Sequence, residues 1–410
     1  MEGHPARPVP AGAGAGPGGP GTTVGDVATP FRLPPDRKRA LQGLAGVGIL
    51  TLVVGLLVTP ARTGANVLLV GFYLLTLGLG GVFFVALSYT ADATWSVGLR
   101  RVPEALAGLV PGAALLLAAL LFVHPSLYPW ASGDETLTGF RGFWLVRPFF
   151  LARAVVYLLG WMWLAAAIVR NSRRQDHDGL PSRSTTNLRL SGIFLVVFSV
   201  TFWLASVDWV MSLEPHWFST IFGLYNFAGL FLGGLAAITL LTVWLQRRST
   251  LGRIVTASHL HDLGKLLFAF STFWMYIWFC QYMLIWYVNI PEETAYFTTR
   301  AVNGWQWVML VNIFLNWVIP FVVLLPRAAK RRADVLVKIA VVLLVGRWVD
   351  LYVMILPPVS ESTVPLGPVE IGLAVGGVGV CGLLVARSLA KAELVPVGDP
   401  FLEESVRHRT

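Results

Sequence analysis

Apolar stretches long enough to cross a lipid bilayer recur along the whole chain, and they constrain its fold more than any other feature. They lie at about residues 40–58, 66–89, 104–123, 148–169, 190–212, 217–245, 262–286, 302–325, 333–356 and 365–386. A helix rises about 1.5 Å per residue, so about 20 apolar residues match the hydrocarbon core. Hydrophobic residues make up 55% of the sequence and charged ones only 13%, which excludes a water-soluble domain. The sequence therefore predicts an all-α polytopic membrane protein with ten transmembrane helices.

Basic residues are concentrated in every second connection between these stretches. The clusters are Arg100 and Arg101; Arg170, Arg173, Arg174 and Arg183; Arg247, Arg248 and Arg253; and Arg327, Lys330, Arg331 and Arg332. Connections rich in Arg and Lys usually remain on the cytoplasmic side of a membrane. The pattern therefore predicts a multi-pass protein with both termini in the cytoplasm. Because the net charge of +9 falls in short clusters that set topology, it does not indicate a nucleic-acid partner.

The first 35 residues are rich in Gly, Pro and Ala and contain no continuous apolar stretch. Such a composition favours a disordered segment, and it lacks the apolar core and cleavage site of a secretory signal peptide. Residues 1–35 are therefore predicted to form a disordered cytoplasmic tail.

A weak internal repeat relates the two halves of the apolar region. Asp208-Trp-Val-Met-Ser-Leu-Glu-Pro215 resembles Asp350-Leu-Tyr-Val-Met-Ile-Leu-Pro357, and the second and sixth spans each contain a glycine pair, Gly80-Gly81 and Gly233-Gly234. Small residues of this kind let helices approach closely. We therefore predict two four-helix bundles, spans 2–5 (residues 65–215) and spans 6–9 (residues 216–358). A peripheral first span (residues 36–64) and a tenth span with a cytoplasmic tail (residues 359–410) flank them.

Ionisable side chains inside the predicted spans are the candidate functional residues, because a charge in hydrocarbon is costly and is usually paired or functional. Arg153 and Asp208 lie at similar depths on the fourth and fifth spans and form a candidate pair. Arg347 and Asp350 are three residues apart on one face of the ninth span. The predicted cavity around them is lined by Asn312, Asn316, Tyr276 and Gln281, and a titratable cluster at the cytoplasmic mouth contains His259, His261, Asp262 and Lys265.

Together, the Asp350 set and the cytoplasmic cluster predict a proton route through the second bundle, since histidine changes charge near neutral pH. The alternative is structural: the buried charges form fixed pairs and interhelical hydrogen bonds, while Asp262 caps a helix and the two histidines belong to an interfacial loop. The sequence leaves both interpretations open.

Motifs for cofactors are absent from the sequence. Cys280 and Cys381 lie in different apolar stretches, there is no C-x-x-C-H motif, and none of the seven histidines is in the middle of a span. Haem, iron–sulfur clusters and zinc need such ligands. We therefore expect no metal and no cofactor bound by this chain, so any redox centre would belong to a partner subunit.

Three sequence blocks resemble a known family. They read DWVMSLEPHWFSTIFG at residues 208–223, HLHDLGKLLFAF at residues 259–270 and WYVNIPEET at residues 286–294. These blocks closely resemble the second NrfD-like (polysulfide reductase NrfD family) membrane subunit of alternative complex III, a quinol:cytochrome c oxidoreductase. The resemblance extends over essentially all ten spans and leaves out the Gly/Pro-rich tail.

The resemblance implies a place in a respiratory or photosynthetic electron-transport chain of the bacterial inner membrane. Its implied partners are a multihaem cytochrome c subunit, an iron–sulfur subunit, a sister NrfD-like subunit and small membrane subunits; haem c and iron–sulfur clusters would reside in those partners. Quinol is a possible ligand of the complex, but its oxidation needs a base near the quinol oxygen. Because no histidine lies within a span here, we expect catalysis in the sister subunit and assign no catalytic residue. This chain would scaffold the complex and conduct protons.

Two other functions remain as alternatives. Two repeated bundles with buried charges also fit a stand-alone secondary transporter. A purely structural membrane subunit would have the same sequence features, but its buried charges would not titrate.

Overall fold

The computed structural model describes residues 31–132, 137–360 and 363–409. Within these ranges the chain is helical and has no β-strand. Its long helices are α1 (Pro35–Val58), α2 (Pro60–Thr90), α3 (Arg101–Val123), α4 (Arg147–Asp178), α5 (Ser182–Trp209), α6 (Phe222–Gln246), α7 (Ala257–Val288), α8 (Trp305–Leu324), α9 (Ala333–Ile355) and α10 (Pro368–Leu389). Short helices occupy several connections, including Gly139–Trp144 and Pro291–Thr299. Residues 1–30 of the predicted tail lie outside the described residues.

Nine of the helices in the described ranges, all except α9, are long and apolar enough to cross a membrane. This confirms the predicted class, an all-helical polytopic membrane protein. Helix α9 has 23 residues, but Lys338, Arg347 and Asp350 are spread along it, so every stretch of 18 residues in this helix contains at least three charged side chains. It therefore differs from the others in where its charges lie and not in length.

Helices α2 and α6 are the most buried of the long helices and form the centre of the molecule. Helix α2 packs against α3, α5 and α6, while α6 also packs against α7 and α9. The glycine pairs identified in the sequence face each other across this centre: a Cβ added to Gly80 would lie 2.9 Å from Gly234 Cα. Only glycine at both positions permits this approach of the two backbones.

The remaining contacts define two groups of helices around this centre. Helix α4 packs against α3 and α5, and α7 packs against α8, which in turn contacts α9. Helix α1 packs mainly along α10, where a Cβ on Gly48 would lie 2.5 Å from Gly376 Cα. Only Gly48 and Gly55 of α1 are buried, so this helix is peripheral in the described structure.

The connections lie at two opposite ends of the helices. We call the end formed by residues 90–101, 178–182, 246–257 and 324–333 the basic face. We call the end formed by residues 58–60, 123–132, 137–147, 209–222, 288–305, 355–360 and 363–368 the opposite face. The C-terminal segment returns to the basic face, where Asp399 pairs with Arg100 and His408 Nε2 lies 2.6 Å from Asp262 Oδ2. The C-terminal residues thus cover the start of α7.

Candidate functional site

The carboxylate of Asp350 is fully buried and is the point where side chains from four helices meet. Arg347 Nη1 lies 2.5 Å from Asp350 Oδ2, and Trp274 Nε1 donates to the same oxygen at 3.3 Å. The other oxygen accepts hydrogen bonds from Tyr225 Oη and, at 3.1 Å, from Asn312 Nδ2. Four side chains therefore donate hydrogen bonds to this one carboxylate, so both of its oxygens have partners within the protein.

Two glycines of α6 make room for the Arg347 side chain. A Cβ on Gly229 would lie 2.2 Å from Arg347 Nη1, and one on Gly233 would lie 3.3 Å from its Cγ. Arg347 Nη2 donates to Asn226 Oδ1 at 3.3 Å. The guanidinium is therefore held against the backbone of α6, where any larger residue at position 229 would displace it.

A chain of hydrogen bonds continues from Asp350 along α8. Asn316 Nδ2 donates to Asn312 Oδ1 at 2.6 Å, and Ser271 Oγ on α7 donates to the Asn316 carbonyl oxygen at 2.6 Å. This part of α8 forms a π-helical turn at Phe314–Val318, a distortion that often occurs at functional sites. Both asparagines therefore belong to the Asp350 cluster, as the sequence suggested.

The other two predicted members of this cavity differ in position. Gln281 is buried on the same side of α7 as Trp274, two helical turns closer to the opposite face. Tyr276 is 61% exposed on the outer surface of α7 and does not line the cluster. Placing Tyr276 in the cavity was wrong, because position 276 faces away from the helices that contain Asn312 and Asp350.

A closely similar site occurs around Asp208 in the other group of helices. Arg153 donates from Nε and Nη2 to the two Asp208 oxygens at 3.0 and 2.9 Å. Trp144 Nε1 donates to Asp208 at 2.8 Å and Tyr157 Oη at 3.3 Å. Each aspartate is thus bound by an arginine, a tryptophan and a tyrosine. The repeat seen in the sequence therefore extends to donor chemistry, although the donors come from different sequence positions.

The predicted cluster at the basic face is assembled around the C-terminal segment. His259 is fully buried; its Nδ1 accepts from the Thr256 backbone N–H at 3.2 Å, and its Nε2 lies 3.4 Å from Ser405 Oγ. Asp262 Oδ1 lies 2.5 Å from Lys265 Nζ. Helix α7 is capped by Thr256 and begins before His259. Asp262 is therefore not the cap, and the histidines are not loop residues. His261 is also buried, and its Nδ1 has no partner within the described residues.

The two clusters on α7 are separated by apolar packing. Ser271 lies nine residues beyond Asp262, which corresponds to about 14 Å along the helix. The buried residues between them on α7 are Leu263, Gly264 and Leu267. No polar side chain of the described part of α7 bridges this buried stretch, so the predicted route would need water to be continuous.

Several buried charges were not identified as site residues in the sequence. Arg101 at the start of α3 pairs with Glu104 and with Asp176 of α4, and all three are mostly buried. Near the opposite face, Arg300 is fully buried and donates from Nη2 to Glu214 Oε1 at 2.6 Å. The sequence pattern assigns Arg101 only to a basic connection between spans. Tyr225 and Asn226 are adjacent polar residues inside an apolar stretch, and this is the feature of the sequence that points to their place in the Asp350 cluster.

The aromatic neighbour of Arg300 does not titrate near neutral pH. The Tyr296 ring lies against the Arg300 guanidinium at 3.5 Å, in the short helix before α8. Burial raises the pKa of the Tyr296 phenol to about 12. The phenol therefore stays protonated at physiological pH, and the contact serves to hold the connection in place.

Within the described ranges, no group of three or more His, Cys, Asp or Glu side chains is arranged to hold a metal ion. Comparison with known proteins found no matching family model and no matching curated protein. The family resemblance of the three sequence blocks therefore remains a prediction.

Proposed function

We propose that this chain is an integral membrane subunit of a quinol:cytochrome c oxidoreductase of the alternative complex III type. The three signature blocks and the all-helical polytopic fold support this proposal. Its partners would be the multihaem cytochrome c subunit, the iron–sulfur subunit, the sister NrfD-like subunit and small membrane subunits. Quinol oxidation would take place in the sister subunit, because the buried histidines here lie at the start of α7 and not near Asp208 or Asp350.

In the membrane, α9 would serve as the tenth span despite its charges. Arg347 and Asp350 neutralise each other and are fully buried among α6, α7 and α8, so they are not presented to lipid. The helices would then form two four-helix bundles, α2–α5 and α6–α9, flanked by the α1–α10 pair. The basic face would lie in the cytoplasm of a bacterial cell, by the distribution of Arg and Lys.

The proposed role of the Asp350 cluster is to couple electron transfer to proton movement. When a buried carboxylate is protonated, one of its oxygens becomes a donor and the hydrogen bonds around it rearrange, so the group has two hydrogen-bonded states. A change of charge nearby can select between these two states. The observation that carries this role is the convergence of Tyr225, Trp274, Asn312 and Arg347 on one carboxylate. The proton would reach it from the His259 cluster through water that fills the apolar stretch.

The test is Asp350→Asn in the assembled complex, with Asp208→Asn as the matched control. Both substitutions preserve size and remove a titratable group bound by an arginine, a tryptophan and a tyrosine. We expect Asp350→Asn to leave quinol:cytochrome c electron transfer largely intact and to lower the number of protons translocated per electron. In complexes that assemble, Asp208→Asn should leave that ratio unchanged, so it controls for the stability lost when a buried counter-ion is removed. If Asp350→Asn assembles and pumps like the wild type, or if the wild type does not pump, the cluster is structural.

A stand-alone secondary transporter is the second candidate, and one structural observation favours it. Helix α8 is interrupted by a π-helical turn, with Pro320 two residues after its end, and transporters often bind substrates at interrupted helices. Purification under mild conditions separates the two functions. A subunit of the oxidoreductase should be isolated together with haem-containing polypeptides and should carry no metal once separated from them, whereas a transporter should be isolated alone.

A further inference from the structure

A cavity of about 960 Å³ lies between the α1–α10 pair and the two groups of helices. Its walls come from α1, α2, α6, α9 and α10, and nearly all of the side chains are aliphatic or aromatic. A volume of this size is typical of sites that enclose a whole small-molecule ligand. None of the residues of the Asp350 or Asp208 clusters lines it.

The cavity is elongated along the helix axes. On α10 its lining extends from Ala374 to Leu389, sixteen residues or about 22 Å. One hydrocarbon leaflet is only about 15 Å thick, half of the apolar core. The cavity therefore has room for complete acyl chains that enter from the leaflet at the basic face.

Charge is confined to one end of the cavity. Arg37 lies on the first turn of α1 at the basic face, and no hydrogen bond or ion pair joins it to another of the described residues. Lys38 and Arg39 follow it and are exposed. At the other end, the Tyr73 hydroxyl is already bound to the Leu344 carbonyl oxygen at 3.0 Å. An occupant should thus be apolar along its length and anionic where it meets Arg37.

The residues before α1 line this end of the cavity. The Phe31 ring packs edge-on against Trp244 with 5.1 Å between ring centroids, and Arg248 lies 5.4 Å from the same tryptophan ring. Phe31, Leu33 and Arg37 all contribute to the wall. The start of the described chain therefore places apolar side chains along the wall and positive charge at this end of the cavity.

We propose that this cavity binds one anionic phospholipid, with its acyl chains between α1, α6, α9 and α10 and its phosphate on Arg37. A quinone would fill the same volume, but it has no charge to pair with this arginine. The bound lipid would fix the peripheral α1–α10 pair to the rest of the molecule. Binding of this lipid requires only a bilayer around the protein and does not depend on the proposed redox role.

The experiment is native mass spectrometry of the full chain purified from nanodiscs of mixed phosphatidylglycerol and phosphatidylcholine. Val345→Trp places a large ring in the cavity, and Val196→Trp on α5 is its control, since position 196 is exposed and outside the cavity. Arg37→Gln removes the head-group contact, and Arg39→Gln controls for a general loss of positive charge.

We expect wild type and both controls to retain one phosphatidylglycerol and Val345→Trp to lose it. Arg37→Gln should reduce the preference for phosphatidylglycerol over phosphatidylcholine about fivefold, the value of one basic residue at an anionic surface. Equal retention by Val345→Trp and Val196→Trp would overturn the site. Equal preference in Arg37→Gln and Arg39→Gln would overturn the assigned head group, and a retained quinone in place of lipid would overturn the proposal as a whole.

Discussion

At the scale of single residues, breaking a buried arginine–aspartate pair lowers the free energy of unfolding more than breaking a pair at the surface. Removing the charge of Asp208 leaves Arg153, only 8% exposed, without its counter-ion. We expect Asp208→Asn to destabilise the protein by about 3–5 kcal/mol. The control is Asp178→Asn, whose partner Arg183 is partly exposed, and whose loss should lower the unfolding temperature much less because water already screens the pair. Thermal unfolding in detergent measures both, and equal shifts in the two variants would refute the distinction.

Glycine 229 is the residue on which the geometry of the Asp350 cluster depends most directly. A Cβ there would meet the Arg347 guanidinium at 2.2 Å, so Gly229→Ala must displace the guanidinium from Asp350. We expect a loss of about 1–3 kcal/mol in stability. Gly160→Ala on α4 is the matched control, because its Cβ would meet nothing within 4 Å. That variant should be neutral or slightly stabilising, since alanine is the better helix former. Similar melting temperatures for the two variants would contradict the tight packing around Arg347.

At the scale of helices, the contact between α1 and α10 depends on backbone proximity. Gly48 and Gly376 let the two helices approach so closely that a Cβ at either position would meet the other's Cα within 2.5 Å. We expect Gly48→Val to separate the pair and to expose α1 to proteolysis, while Gly46→Val should not, because position 46 has open space around it. Limited proteolysis followed by mass spectrometry distinguishes the two. Identical digestion patterns would mean that the glycines do not hold this contact.

At the scale of the whole molecule, the charge asymmetry of the two faces predicts the orientation in the membrane. In a variant with Cys280 and Cys381 replaced by serine, a single cysteine at Leu180 should react with an impermeant maleimide only from the cytoplasmic side. One at Glu292 should react only from the outside. Both positions are exposed and lie on opposite faces. Connections near Asp134 and Glu361 fall outside the described residues but should behave like Glu292. Labelling from the reverse sides would invert the topology.

The sequence by itself determined the class of the fold and the identity of the paired charges. Apolar stretches of spanning length admit only helices in a bilayer, since every backbone polar group must be satisfied within the segment. The glycine pairs at Gly80 and Gly233 predicted close helix packing, and the cost of a buried charge singled out Arg153, Asp208, Arg347 and Asp350.

The tertiary structure alone decided which of the polar residues belong together. Tyr276 and Gln281 are five residues apart on one helix, yet only Gln281 is buried, because the side a residue faces depends on where neighbouring helices pack. The donors to Asp350 come from α6, α7, α8 and α9, and no local pattern relates them. The same is true of His408, which reaches Asp262 across 146 residues of sequence. Long-range packing sets such contacts, and a linear sequence does not specify them without the arrangement of its helices.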